Sequence, residues 1–388
     1  MVRQENQRAL LGKALEDLVT RARSGKPLCR IGLMAAGGEH PQKEFLCAAA
    51  AAMREDAALI VTGVGPRPVD PLPAGMEWIE TGCEGGELAA AMEKALDEGR
   101  IQGAVALHYP FPLGVTTVGR VMSPGTGAPM FVASSTGISA AHRQEAMLRN
   151  AVLGVAVAKS LGICRPSLGV LNLDAAPQVL RALTRMVEKG YALNLGQSAR
   201  SDGGSLLRGN DLLRGTVDLC VTDTLTGNVL MKLFSAFTSG GLYETTGWGY
   251  GPSVGEGWNK VVSIVSRASG APVMANALAY TAAAVRGNLP QLVAEELRLA
   301  RAAGLDDELA AFSKTDAAPA ETVQAPPAEP TDEEIHGIDV LDLEQAVRCL
   351  WKEKIYAEAA MGCTGPVVKL ASANVDKART LLAAAGYI

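Results

Sequence analysis

Short, uniformly apolar runs alternate with Ala-rich stretches from residue 29 to residue 237, and no other feature restricts the fold of this chain as strongly. The runs at 29–36, 58–64, 103–108, 128–135, 167–173, 191–196 and 217–223 read as strands, and 41–55, 85–99, 143–162, 176–190 and 226–237 as helices. These strands are apolar throughout instead of alternating with polar residues, so both of their faces are buried and helices must cover both sides. Gly162 and Gly190 stand where two of the helices must stop, the usual place for a left-handed terminating residue. Repeated units of this kind imply an α/β fold with a mostly parallel sheet and helices on both faces.

Two stretches interrupt the pattern. Residues 239–257 hold seven glycines with Tyr243, Trp248 and Tyr250. Glycine inside a helix or strand forfeits backbone entropy and packing, so a mobile loop or lid, or a segment ordered by a partner, is expected. Residues 313–333 carry four prolines among Ala, Thr and acids and read as a semi-extended linker. The chain then divides into an amino-terminal helix (1–27, closed by Gly25-Lys26-Pro27), an α/β domain (28–312), the linker (313–333) and a carboxy-terminal segment (334–388). In that last segment 341–360 reads as an amphipathic helix with Leu343, Val347, Leu350 and Trp351 on one face; 361–366 reads as a turn, 367–371 as a strand and 374–387 as a helix. So small a unit buries little by itself and is expected to dock on the main domain or on a second subunit.

Composition narrows the chemistry. The net charge of −5, without a basic block, argues against a nucleic-acid partner. No apolar run approaches the ~20 residues of a membrane span, and the amino terminus is polar, unlike a signal peptide, so a soluble cytoplasmic protein is expected. Seven scattered cysteines, none spaced CxxC, argue against a disulfide framework, a zinc knuckle or an iron–sulfur cluster. Four histidines leave little material for a metal site, and none is expected. Thiol chemistry and anion binding remain.

Four places have residues for such chemistry. Asp223-Thr-Leu-Thr-Gly-Asn228 stands where a buried strand runs into a helix. Thr224 or Thr226 can cap that helix, Gly227 allows close backbone approach, and Lys232 follows Asn228 by one turn. The free amides and dipole of a helix start attract an anion, although a plain capped helix looks the same in sequence. Gly37-Gly38-Glu39-His40 follows the first strand, and His40 or Glu39 can act as acid or base there; a simple glycine turn is the alternative. It does not have the GxGxxG spacing of a nicotinamide site. Ser134-Ser135-Thr136-Gly137, with His142 and Arg143 beyond, offers hydroxyls to phosphate or ordinary caps, and His108 reads as a packed loop histidine. Cys363, between Gly362 and Thr364-Gly365, is flanked by small residues that leave a thiol accessible, or is a small turn residue. Cys29, Cys47, Cys220 and Cys349 fall in apolar surroundings and read as buried thiols.

CRIGLMAAGGEHPQKEFLCAAAAA, RQEAMLRNAVLGVAVAKSLGICRPSLGVLNL and VDLCVTDTLTGNVLMK, in this order over about residues 29–300, resemble the phosphate acyltransferase family of phospholipid synthesis. That family is related in fold to phosphotransacetylases and to isocitrate/isopropylmalate dehydrogenases. Over essentially the whole chain, including the linker and the GCTGPVV segment that the lipid enzymes lack, the sequence resembles the alpha subunits of component C of glycine/sarcosine/betaine reductase complexes. This resemblance implies that an acetyl group from a carboxymethylated selenoprotein is held as a cysteine thioester and released by inorganic phosphate as acetyl phosphate, with no cofactor and with a component C beta subunit as partner. By the family pattern the thiol is Cys363; joined to the helix-start reading, this expects phosphate at Asp223, Thr226, Gly227, Asn228 and Lys232, with amides near Gly362 or Gly365 for the oxyanion. Glu39 replaces the Asp of the lipid family's Gly-Gly-Asp, and Thr224-Leu225 its Gly-Phe after Asp223; residues 108–120 replace its Ser-Ala-Gly-Asn-Thr-Gly segment. These departures weigh against long-chain acyl carrier substrates. Two other readings stand beside this one: acyl exchange between coenzyme A or acyl carrier protein and phosphate without a protein thioester, and a structural subunit that docks a catalytic beta subunit through 239–257.

Overall fold

The computed structural model describes Val19 and residues 25–199, 204–315, 323–338, 342–362 and 365–388. The amino-terminal helix expected over 1–27 therefore lies almost wholly outside the described residues. The first apolar runs become β1 (Cys29–Met34), β2 (Leu59–Gly65) and β4 (Gly103–Ala106), with α1 (Gln42–Glu55), α2 (Gly85–Asp97) and an edge strand the pattern did not mark, β3 (Glu77–Glu80), between them. The middle of the chain supplies β5 (Val115–Met122), β6 (Pro129–Gly137), α3 (Arg143–Ser160), β7 (Ser167–Leu171), α4 (Ala176–Glu188), β8 (Asn194–Leu195), β9 (Leu206–Leu207), α5 (Gly209–Arg214), β10 (Leu219–Val221) and α6 (Thr224–Ala236). After them come β11 (Gly251–Gly255), β12 (Val262–Ile264), α7 (Ala271–Arg286), α8 (Leu289–Ala302) and α9 (Leu305–Thr315).

These strands form one sheet in the order β3-β2-β1-β4-β12-β11-β5-β6-β10-β7-β8, with β9 also on β7. It is mostly parallel and covered by helices. β3, β2, β1, β4 and β12 run one way, and β6, β10, β7, β8 and β9 form a second parallel block. Three antiparallel pairings, β12–β11, β11–β5 and β5–β6, join the blocks. An odd number of reversals sends the blocks in opposite directions. The carboxyl ends of β1, β4 and β12 thus lie on one edge of the sheet, called here the upper edge. Those of β6, β10 and β7 lie on the lower edge.

The Gly-rich stretch 239–257 departs from the loop expected for it. Gly251–Gly255 is a fully buried central strand, β11. A Cβ on Gly251 would stand 1.6 Å from the Val118 carbonyl oxygen, and Gly251 has φ +82°. The glycines are there because two backbones approach closely at the join between the blocks. α3 carries the core of the second block, buried from Leu148 to Ala158 except at Arg149, between the sheet and α4 and α8.

The carboxy-terminal segment builds a sheet of its own, β13 (Glu333–Ile335), β15 (Gly365–Leu370) and β14 (Ala357–Gly362), all antiparallel and covered by α10 (Leu343–Lys352) and α11 (Val375–Ala384). The helix expected over 341–360 stops at Lys352, and 357–362 is a strand. Its composition favours a helix, but pairing with β15 and a bond from Trp351 Nε1 to the Ala357 carbonyl (2.9 Å) override that preference. The linker is shorter than its composition suggested, since α9 runs to Thr315 and β13 begins at Glu333. The module's core of Ile335, Leu343, Val347, Leu350, Val368 and Leu382 takes in Ile138 from the main body, and Pro112 forms a bridge with Ala360. A cavity of about 740 Å³ separates the two nearby, lined by Phe111, Leu113, Val347 and Trp351 among others. No helix among the described residues is long and apolar enough to cross a membrane.

Candidate functional site

The start of α6 lies on the lower edge, and its donors point inward. Asp223 is the N-cap: its carboxylate accepts from the Thr226 amide (2.9 Å) and the Thr226 hydroxyl (2.8 Å). Gly227 sits under the Ser134 carbonyl, where a Cβ would lie 1.7 Å from the oxygen. Asn228 Nδ2 donates to the Ser135 carbonyl (3.1 Å). The hydroxyls of Ser134, Thr116 and Thr224 bond among themselves, and Thr224 Oγ1 donates to the Gly137 carbonyl (3.2 Å). Ser134, Ser135 and Thr136 therefore join β6 to its neighbours, Asp223 and Thr226 cap α6, and Gly227 and Asn228 lock it onto β6. The glycine serves the approach of helix to strand, which is a different use from the ligand approach expected in sequence. His142 is the N-cap residue of α3 and Arg143 its first residue, on this same edge.

The turn after β1 lies on the upper edge, so the structure does not bring it to the start of α6. Gly37 takes φ +85°, and Gly38 lies beside the Phe45 ring. The Glu39 amide donates to the Arg267 carbonyl (2.9 Å), and His40 Nε2 donates to the Ala268 carbonyl (3.1 Å). The His40 ring meets Tyr243 edge-on at 5.5 Å. His108 Nε2 donates to the Gly85 carbonyl (3.3 Å), a loop contact.

Lys232 links the two places. A helix rises about 1.5 Å per residue, so eight residues carry the chain from Thr224 roughly 12 Å back toward the upper edge. There Lys232 Nζ lies 5.6 Å from the centre of the Tyr250 ring. The Tyr250 hydroxyl donates to buried Glu244 (2.8 Å), which also accepts from the Ser269 hydroxyl (2.7 Å). Burial, with the Glu244 carboxylate adding to it, holds the Tyr250 phenol far above its ordinary pKa, so it stays a neutral donor. Glu244, Tyr243, His40 and the 265–270 loop thus form one connected wall at the upper edge. Arg267 is exposed on this wall. Neither Arg267 nor Lys232 has a carboxylate partner among the described residues. Nothing in the sequence marks Arg267, because the short strand before it, β12, follows the glycine-rich stretch and carries no strand pattern of its own.

The thiols sort by burial. Cys29 is pushed up to about 11 and Cys220 to about 12 by desolvation, so both are inert near neutral pH. Cys47 is exposed, contrary to the apolar setting expected: Phe45, Leu46, Ala48 and Ala49 face the core, and Cys47 falls on the outer side of α1. Cys83 and Cys164 are exposed and Cys349 is half-buried. Cys363 and Thr364 lie outside the described residues; Gly362 and Gly365, which flank them, are paired across β14 and β15. Ala360, just before this pair, bridges to Pro112, and the Gly114 amide donates to the Ile138 carbonyl (2.8 Å). The module therefore rests against the lower edge of the body.

The fatty acid synthesis protein family matches residues 29–369. The alpha subunit of glycine/sarcosine/betaine reductase complex component C from Peptoclostridium acidaminophilum is 44% identical over 98% of both chains. A phosphate acyltransferase from Thermobifida fusca is 34% identical over 110 residues, 28% of this chain and 30% of that one. A branched-chain phosphotransacylase from Enterococcus faecalis is 16% identical at a TM-score of 0.49, covering 66% of this chain and 99% of that one. The chain therefore belongs to the fatty acid synthesis protein family, in the group formed with the alpha subunit of component C of the glycine/sarcosine/betaine reductase complex.

Proposed function

We propose that the chain is the acyl-transferring alpha subunit of a component C and releases an acetyl group held on Cys363 as acetyl phosphate. The thioester is formed from a carboxymethyl selenoether on a selenoprotein partner and two thiols, Cys363 among them. The C–Se bond breaks and the methylene becomes methyl; the carboxyl carbon passes to the Cys363 sulfur with loss of water, and the selenium is oxidised to a selenenyl sulfide with the second thiol. A component C beta subunit stands alongside. A phosphate oxygen adds to the thioester carbonyl carbon. The C–O bond forms, the C–S bond breaks and the sulfur leaves as thiolate, so this step involves no redox change and no cofactor. Lys232 and Arg267 hold the phosphate, and Asn228 fixes the turn of α6 that presents Lys232. His40, oriented by the Ala268 carbonyl, is the acid–base group of the cleft. The amides of Gly362 and Gly365, on either side of Cys363 and Thr364, are the candidate donors to the thioester oxygen. The two cations favour the upper edge for phosphate over the start of α6, whose capping group is the Asp223 carboxylate.

The build of the carboxy-terminal module supports this reading most. It has its own sheet and core, rests on the body through Ile138 and the Pro112–Ala360 bridge beside a large cavity, and is tied to α9 through the linker. Because the module rests at the lower edge, its thiol must leave that edge on the linker to reach phosphate at the upper edge, and the same tether lets it meet a partner. Ordering the thioester beside bound phosphate supplies a proximity gain of up to about 7–11 kcal/mol.

The test is intact-protein mass spectrometry after incubation with acetyl phosphate, followed by peptide mapping. An acetyl adduct on Cys363 that phosphate or arsenate discharges, and that Cys363→Ala abolishes while the fold is kept, is the expected result. An adduct on exposed Cys47, Cys83 or Cys164 instead would move the carrier role to that thiol. No adduct on any cysteine of the folded chain would replace this reading with direct transfer or with a structural subunit.

A further inference from the structure

A carboxylate that the proposed reaction leaves unused lies inside the wall at the upper edge. Glu244 is 3% exposed. One of its oxygens accepts from the Tyr250 hydroxyl (2.8 Å) and the other from the Ser269 hydroxyl (2.7 Å), and no ion pair is made to it among the described residues. A buried carboxylate held only by hydroxyls is desolvated without a cation to offset the loss, and a neutral side chain of the same shape would cost less. Stability therefore does not account for Glu244. The groups its bonds reach do. Lys232 is reached through Tyr250: the ammonium lies 5.6 Å from the centre of that ring, within cation–π range, and a phenol that donates to a carboxylate carries more negative charge on its ring face. Arg267 is reached through Ser269, whose hydroxyl also accepts from the Ser266 amide (3.1 Å) and so closes the turn that carries Arg267. His40 is reached through the main chain. The Ala268 carbonyl that orients its ring also accepts from the Glu244 amide (2.9 Å), and the Glu244 carbonyl accepts from the Gly270 amide (2.9 Å).

We propose that Glu244 is the positioning residue of the anion site: through the Tyr250 ring and the Ser269 turn, its carboxylate fixes Lys232 and Arg267 where both can hold one phosphate. Glu244 itself touches neither phosphate nor thioester, because Tyr250 and Ser269 occupy its two oxygens. Two cations that share an anion repel each other while the site is empty. A carboxylate behind them, out of water, offsets that repulsion without competing for the phosphate. The inference rests on the assignment of phosphate to Lys232 and Arg267, and on nothing about which thiol carries the acetyl group.

Titration calorimetry of inorganic phosphate into the full chain, with thermal denaturation of the same samples, tests it. Glu244→Gln keeps the size and hydrogen-bonding atoms of the side chain and removes its charge. Phosphate binding should weaken about tenfold while the melting temperature holds or rises, a split that a purely structural carboxylate would not produce. In a Lys232→Ala background the same substitution should weaken binding by no more than about threefold, since the route through Tyr250 has lost its end. Wild-type phosphate affinity in folded Glu244→Gln, beside weakened binding in Lys232→Ala and Arg267→Ala, overturns this inference and leaves the anion site standing. Unchanged affinity in Lys232→Ala and Arg267→Ala overturns the site and the inference together. A loss of affinity in Glu244→Gln that comes with a matching fall in melting temperature overturns the inference too, because the carboxylate is then a plain core group. Should Glu244→Gln fail to fold, Tyr250→Phe decides by the same comparison, since it keeps the ring beside Lys232 and removes the bond to Glu244.

Discussion

Two glycine-containing strand-to-helix turns, Asp223–Asn228 and Gly37–His40, look alike in sequence and do opposite things. The first uses its polar groups on the protein itself: Asp223 on Thr226, Asn228 on Ser135, and Gly227 to let α6 touch the Ser134 carbonyl. The second is held through its backbone and the His40 ring to the 265–270 loop, beside an exposed Arg267 that has no carboxylate partner among the described residues. A motif therefore records the donors a turn possesses. Availability to a ligand depends on which of them the fold has already satisfied.

The largest effect is expected at Gly227. Gly227→Ala would place a methyl group within 1.7 Å of a backbone oxygen, which no side chain can yield to. A loss of about 4 kcal/mol and a fall in melting temperature on the order of 10 °C should follow, measured by thermal denaturation. An unchanged melt would mean that the turn is open and its glycine is free for a ligand, which would erase the contrast. Next come the two cations. Lys232→Ala and Arg267→Ala should each raise the KM for phosphate about 10–100-fold, equivalent to roughly 1.4–2.8 kcal/mol, with little change in stability. Wild-type KM in both would remove the upper edge as the anion site. The smallest effect is expected at Asp223. Asp223→Ala loses an N-cap and should cost about 1 kcal/mol of stability with the phosphate KM unchanged. A large change in that KM would return the start of α6 to the site.

The strand–helix alternation made the architecture legible from residues alone. β1, β2, β4, β6, β7 and β10 fall on apolar runs because a strand buried on both faces must be apolar at every position. β5, β11 and β12 were not legible. Gly119, Gly251 and Gly255 on β5 and β11 resemble loop residues until another backbone is placed against them, and with β11 lost, the strand β12 and the Arg267 that follows it were lost as well. The site was legible only in part. Lys232 and His40 are on the connected wall, whereas Asp223, Thr226 and Gly227 serve the packing of α6. Cys363 is marked by sequence resemblance and by its small neighbours, and it lies outside the described residues.

What the sequence determined by itself is the class of fold, the family and the separate carboxy-terminal unit, because periodicity, composition and motif order are local properties that survive without coordinates. What only the tertiary structure decided is which groups are left over for chemistry. The three antiparallel pairings send the two halves of the sheet in opposite directions, and that parity separates two turns that read as equivalent. Burial does the rest. A hydrogen-bonding group already satisfied inside the protein has little to offer a ligand, while Arg267 is exposed and has no carboxylate partner among the described residues.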